Sequence, residues 1–414
     1  MNQNLEKIFH FMEILQKLKT NKRWLETPTV IKKESIADHS FKVLVMVFVV
    51  WKNLWLNLDN LKILKLALVH DIIEAIAWDT DYNSVYLWLI SKQEKYDKEL
   101  EAIKEIKKIL PSPLWQEIYD LWIDYDTSIS NEAKFVKAVE KTESIDHLLY
   151  YWPSYINIPH KLATYCDNAM ANFPELKWYY HGYKQKLKNM FIEWWHKWED
   201  IYDTKWDFDQ FKDFNKIFDF FQIAQKLKET KRYETMEKDA IKESTAEHSF
   251  RLIFFVWIAK EILNIDIDLR KALEIAIFHD IIEAIAWDTD FSLVWTWKVS
   301  KEEKNQKETE AMKKLREVLP IEIWNQIYDL WDEYEKFETK EAKFVKSLDK
   351  LESIDHFIRN WSEYYDNPER IVFYLDSSVK FYPEIEPIYL LYKEKLKNEF
   401  LNCWIEWKKE YDIV

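Results

Sequence analysis

The sequence is nearly without glycine. A single one, Gly182, stands in 414 residues, where ordinary usage of roughly 7% would place about 29. Helical chains run low in glycine, but their turns and C-terminal caps still draw on it. Cysteine is almost as scarce: Cys166 and Cys403 hold non-equivalent places, which speaks against a disulfide framework and fits a reducing cytoplasm. The longest apolar run, Val43 to Trp51, stops at Lys52, about half the length a membrane span needs. The opening "MNQNLEKIFHFMEIL" lacks an apolar core flanked by a small-residue cleavage site, so no secretory signal is expected. Positive charge is in deficit too. A formal net charge of −14 argues against a nucleic-acid binder, whose phosphate contacts demand clustered basic surface. A small anionic substrate held at a local positive site remains compatible.

Tryptophan is plentiful instead, with 22 residues. Hydrophobic residues at 48% and charged residues at 32% describe a globular chain, and its length favours two domains. The string "HDIIEAIAWDTD" runs from His70 to Asp81 and again from His279 to Asp290. His39 and His248, Glu74 and Glu283, Arg23 and Arg232, and Pro174 and Pro383 all keep the same offset of 209. So do the "KLKN" strings at 186–189 and 395–398. One unit is written twice without a gap. The expected domains are 1–204 and 205–414, joined through "DTKWDFDQFKD" at 203–213.

Each copy reads as helices. Leu5, Ile8, Phe9, Met12, Leu15 and Leu18 recur at the three- and four-residue spacing of an amphipathic helix. A second helix starts near Ser35; "DHSFKVLVMVFVVW" is apolar nearly all round, hence central. A third is expected from Leu61 to Ala77, and others at 91–110, 113–126, 131–151, 160–172 and 176–200. Pro111, Pro153, Pro159 and Pro174 fall between them, where proline is tolerated. No segment shows a convincing period of two. The expected class is all-α.

His39, His70 and Asp71, with an acid from a later helix, form a candidate ligand set. Imidazole and carboxylate together suit Mn, Fe, Co or Zn. Glu74 lies four residues after His70, on the same helix face, and Asp79 follows just beyond the helix. Alone, a His-Asp dipeptide is a weak signal, and a lone histidine on an apolar helix is more often a satisfied core residue. The spacing recurs at His248, His279, Asp280, Glu283 and Asp288, although duplication itself preserves some of that.

With "ESIADHS" at 34–40, "ESTAEHS" at 243–249 and "EAKFVKSLDKLES" at 341–353, the chain resembles the HD-domain metal-dependent phosphohydrolases, in particular the branch containing 5′-deoxynucleotidases. The resemblance covers nearly all of both copies. It implies His248, His279, Asp280 and Asp349 as metal ligands, and Glu283 and Asp288 as acid–base residues. The first copy matches with His39, His70, Asp71, Glu74 and Asp79, but "EAKFVKAVEKTES" puts Glu140 where aspartate is expected. The extra methylene displaces that carboxylate by about 1.5 Å unless the backbone adjusts. Arg23 with Trp24, and Arg232 with Tyr233, match the branch's nucleotide-contacting pair; the bland alternative is a surface charge beside a core ring. The implied activity is phosphate release from nucleoside monophosphates, with one divalent ion per domain. Rival readings are hydrolysis of another phosphoester, such as an alarmone or cyclic nucleotide, and a non-catalytic module. The resemblance implies that many relatives carry one such domain and pair as homodimers, so the expected architecture is two tandem helical bundles related by an approximate internal two-fold, forming a pseudo-dimer within a monomeric chain.

The family commonly has glycine where Trp78 and Trp287 stand. With one glycine in the chain and a tryptophan surplus, one reading is that many tryptophans are glycines in the organism, its genes reading UGA as glycine. The rival is a real, glycine-starved helical protein.

Overall fold

The computed structural model describes residues 3–24, 32–78, 90–151, 159–204, 213–233, 242–287, 300–360 and 367–412. All regular structure among them is helical, apart from the isolated bridges Lys22–Ser35 and Lys231–Ser244. In the first repeat the principal helices are α1 (Gln3–Thr20), α2 (Ile36–Leu54), α3 (Asn60–Val69), α4 (Glu74–Ala77), α5 (Lys92–Ile109), α6 (Leu114–Thr127) and α7 (Asn131–Tyr151). Short α8 (Pro159–Thr164) and α9 (Asp167–Asn172) precede α10 (Lys177–Glu193). The second repeat runs α11 (Phe214–Ala224), α12 (Thr245–Leu263), α13 (Leu269–Phe278), α14 (Glu283–Ala286), α15 (Lys301–Val318), α16 (Ile321–Lys336), α17 (Lys340–Asn360), α18 (Pro368–Phe381) and α19 (Glu386–Asn402).

The central helices start where their sequences say they should. Ser35 accepts from the Asp38 amide while Asp38 reaches back to the Ser35 amide. Ser244 and Glu247 do the same for α12, the reciprocal capping that satisfies two orphan amides. Both helices are buried almost throughout, and they pack on each other. The core is therefore continuous between the repeats, as where Phe48 meets Phe278 at 4.7 Å.

The first helix of each repeat also lies across the other. α1 packs on α12 and α19, while α11 packs on α2, α7 and α10. Hydrogen bonds between the repeats come in pairs offset by 209. Lys42 donates to Gln225 at 2.8 Å, and Arg251 donates to Gln16 at 3.1 Å. Lys228 reaches Glu34 at 2.5 Å, and Lys19 reaches Glu243.

Three helix boundaries differ from the sequence reading. The helix expected over 61–77 breaks after Val69, so His70 to Ile73 form turns before α4. The one expected over 160–172 splits at Tyr165–Cys166, and α10 ends at Glu193 rather than 200. Apolar periodicity persists through such breaks because both pieces bury the same side. No helix of the described residues is long and apolar enough to cross a membrane; Val43 to Trp51 lies inside buried α2.

Ten non-glycine residues among those described take positive φ, and six are tryptophans: Trp24, Trp55, Trp78, Trp195, Trp287 and Trp404. Trp55 closes α2 in the left-handed region, where its counterpart Asn264 closes α12. Trp195 and Trp404 follow the ends of α10 and α19 with their side chains in solvent. Trp78 (φ 61°, ψ 151°) and Trp287 (φ 64°, ψ 152°) occupy a region that is essentially glycine's alone.

Candidate metal centre

The break between α3 and α4 puts His70 and Asp71 at a helix end, facing α2. In the first repeat, ligand atoms of His39, His70 and Asp71 all lie within 4.8 Å of one another; His248, His279 and Asp280 repeat the cluster. In the second repeat α17 adds Asp349, whose Oδ1 is 3.1 Å from His248 Nε2. His279 Nε2 is 3.1 Å from Asp280 Oδ2, and His70 Nε2 is 3.2 Å from Asp71 Oδ2.

The Nε2 atoms of His39, His70, His248 and His279 are all buried and make no hydrogen bond. Such atoms are costly to bury unmatched. Carboxylate oxygens sit beside them without hydrogen-bonding alignment, at separations close to the roughly 3 Å between donors sharing one ion. The other ring nitrogen is engaged in every case. His70 Nδ1 faces the Ala67 carbonyl at 2.8 Å, and His279 Nδ1 faces that of Ala276 at 2.9 Å. Glu143 takes Nδ1 of His39 at 2.5 Å, and Glu352 takes that of His248. A proton held on Nδ1 leaves the Nε2 lone pair aimed at the shared point, which is how protein-bound imidazoles are oriented for a metal. The residues fit a divalent ion.

The charges agree. Burial pushes the Asp280 carboxyl up, but the adjacent His279 ring and Arg232 bring it down to about 2. Against the same burial, the His70 and His39 rings hold Asp71 well below the usual carboxylate range, and His248 and His279 hold Asp349 there. Burial and Arg232 depress the His248 ring, yet Glu352 on one nitrogen and Asp349 on the other lift it to about 9. Protons and metal therefore compete at that nitrogen.

Glu140 is at the first centre, though less closely engaged than Asp349. Its Oε1 is 3.9 Å from His39 Nε2, while Oε2 is taken by Lys141 at 3.1 Å and Tyr125 at 3.3 Å. Asp349 has a single tyrosine, Tyr334, at 2.7 Å. Glu74 and Glu283 open the short helices directly after the His-Asp pairs, and Thr245 donates to Glu283 Oε2 at 2.7 Å. Arg23 Nη2 lies 3.9 Å from Glu140 Oε1, and Arg232 Nη1 lies 3.6 Å from Asp280 Oδ2. Arg23 Nη1 also crowds His39 Nδ1, the nitrogen that Glu143 holds. Trp24 stacks on His147 and Tyr233 on His356. Asp79 and Asp288 lie outside the described residues.

Sequence reasoning passed over the acids behind the ligands, Glu34, Glu143, Glu243 and Glu352. A signal existed: Glu143 and Glu352 each follow the last candidate ligand by three positions, one turn along the same helix face. It also passed over Lys19 and Lys228, although "QKLK" is repeated verbatim at 16–19 and 225–228.

Two histidines from separate helices, an acid joined to the second of them and a later acid define the site class, and a family model for the HD domain matches residues 15–168 and 224–380. The chain belongs to the HD-domain family. It is similar to the 5′-deoxynucleotidase HDDC2 of Mus musculus, 35% identical over 173 residues that cover 41% of this chain and 82% of that protein. It is also similar to the 5′-deoxynucleotidase hdd1 of Schizosaccharomyces pombe, 34% identical over 151 residues, with 35% and 72% covered. Among solved structures, a "predicted metal-dependent phosphohydrolase" from Magnetospirillum magnetotacticum aligns at 20% identity over 47% of this chain and 98% of its own, with a TM-score of 0.37.

Proposed function

We propose that the chain is a metal-dependent phosphohydrolase that removes phosphate from nucleoside 5′-monophosphates, 2′-deoxy forms in particular, using one divalent ion per repeat. The observation carrying this is the convergence of buried, unpaired imidazole nitrogens with carboxylates in both repeats. The similarity to 5′-deoxynucleotidases supplies the substrate class. His248, His279, Asp280 and Asp349 hold the ion in the second repeat; His39, His70, Asp71 and Glu140 do so in the first. When bound, an ion of the Mn, Fe, Co or Zn type supplies Lewis acidity to the phosphoryl group and makes water more acidic. Arg232 and Arg23 bind phosphate oxygens, a task suited to guanidinium. Tyr233 and Trp24 wall the sugar. Glu283 and Glu74 move the proton, with Asp288 and Asp79 as the second acid–base pair. Released phosphate measured over a nucleotide panel, with Mn, Co and Zn added separately, tests this; no release from any monophosphate would refute it.

Glu283→Gln separates proton handling from metal binding. In a chain whose first centre is silenced by His70→Ala, the amide preserves shape and the Thr245 contact, so metal content is expected to stay unchanged while turnover falls about 100-fold, the usual contribution of a positioned acid–base group. Loss of the metal would instead make Glu283 a ligand.

We further infer that repeats 1–204 and 205–414 form a pseudo-dimer within one chain, related by an approximate two-fold and monomeric overall, in a reducing cytoplasm that suits its two free thiols. Paired hydrogen bonds at constant offset support this, as isologous contacts do. Because Glu140 is shared with Lys141 and Tyr125, the second centre is expected to bind metal more tightly, and Glu140→Asp to narrow the gap. Light scattering and metal titration check these; a dimer of full-length chains, or equal affinity at both wild-type centres, would count against them.

A further inference from the structure

Behind each metal centre lies a buried acidic nest: Glu34, Glu143 and His147 in the first repeat, and Glu243, Glu352 and His356 in the second. One cation in each nest is a lysine from the opposite repeat. Lys228 Nζ donates to Glu143 Oε1 at 2.7 Å and to Glu34 Oε2 at 2.5 Å. The other oxygen of Glu143 holds His39 Nδ1. Correspondingly, Lys19 donates to Glu243 and stands 3.7 Å from Glu352 Oε1, and the other oxygen of Glu352 holds His248 Nδ1. Both lysines are buried.

Resting on the metal-centre reading above, we propose that Lys19 and Lys228 are positioning residues acting in trans between the repeats, so that neither metal centre is complete without the other half of the chain. An imidazole ligand depends on the group that fixes its second nitrogen, and losing such a group typically lowers metal affinity 10- to 100-fold. Anchoring the other oxygen of Glu143 and offsetting its repulsion from Glu34 both favour its contact with His39. Two buried carboxylates side by side repel strongly in a poorly screened interior. Lys228 performs both tasks with one ammonium group.

The two nests are not equally dependent on their lysines. Arg251 gives Glu352 a second anchor at 2.8 Å from within its own repeat. Its counterpart Lys42 instead donates to Asp146 and Gln225, each at 2.8 Å. Arg23, from the first repeat, reaches Glu34 at 3.1 Å but stands 3.6 Å from Glu143, so the close cation on Glu143 is Lys228 at 2.7 Å. The first centre therefore leans harder on the second repeat than the second leans on the first.

The test uses full-length chains with one centre silenced and Mn²⁺ as the titrated probe, followed by calorimetry. In a His279→Ala chain, Lys228→Met is expected to weaken Mn²⁺ binding at the first centre by about 10-fold or more. Lys19→Met there leaves it within about twofold, and Lys228→Arg restores most of the loss. In a His70→Ala chain the pattern reverses, with a smaller effect of Lys19→Met because Arg251 remains. If Lys228→Met folds poorly, adding Glu34→Gln removes one charge from the nest yet leaves Glu143 without its lysine; the same weakening is expected. Equal losses from both lysines in both backgrounds would reveal general loosening and overturn the proposal, as would no loss at all. Single-centre parents that bind no Mn²⁺ would overturn the metal-centre reading itself, and this inference with it.

Discussion

In a chain whose first centre is silenced by His70→Ala, His279→Ala is expected to remove metal from the second centre and with it essentially all phosphate release. His279 supplies a buried Nε2 that makes no hydrogen bond, and its Nδ1 is committed to the Ala276 carbonyl, so its removal takes a ligand from the centre. Loss of a supporting group alone costs about 10- to 100-fold in affinity, so loss of the ligand itself should exceed about 10³. Metal analysis and phosphate release should fall together. Activity that survives alongside stoichiometric metal would refute the assignment of the site.

Trp78→Gly with Trp287→Gly is expected to raise stability substantially. Non-glycine residues held in such backbone regions cost of order 1–3 kcal/mol each, and both indoles are 59% exposed, so little packing is lost on removing them. The pair should contribute about 2–6 kcal/mol, readable by chemical denaturation. Unchanged stability would mean the indoles make compensating contacts. The same positions test the coding reading. Peptide mass spectrometry of protein from the native organism should find glycine at 78 and 287; tryptophan there would defeat that reading, and the chain would then carry the backbone strain in life. Not every tryptophan belongs to this group. Trp257 is fully buried in α12 at the position matching Phe48, where an aromatic ring fills the core.

Repetition made much of this legible. A constant offset of 209 from Arg23 to the second "KLKN" announced two like units, and apolar periodicity gave most of the helices. His39, His70 and Asp71 could be grouped because the same histidine and His-Asp spacing recurs at His248, His279 and Asp280. The break at Val69 was hidden, since apolar residues continue through it. The nests were hidden for a different reason. Lys228 and Glu143 are 85 positions apart and belong to different repeats, and no local pattern marks a contact that exists only once two units have packed. Glu34 was visible within "ESIADHS", but nothing in that string says its carboxylate faces a lysine from elsewhere.

Gly182 carries a last consequence. A Cβ there would stand 2.5 Å from ring atoms of Phe214, so α10 of the first repeat and α11 of the second meet as notch and bulge. The counterparts 209 positions away are Leu391 and Leu5, two side chains of middling size. Matching two first repeats would set Gly182 opposite Leu5 and leave a gap, which destabilises in proportion to its volume. Matching two second repeats would drive Leu391 into Phe214, an overpacking that cores tolerate poorly. A first repeat thus discriminates against its own kind and accepts a second one. Whether the halves meet within one chain or between two, that steric grammar favours a first repeat against a second.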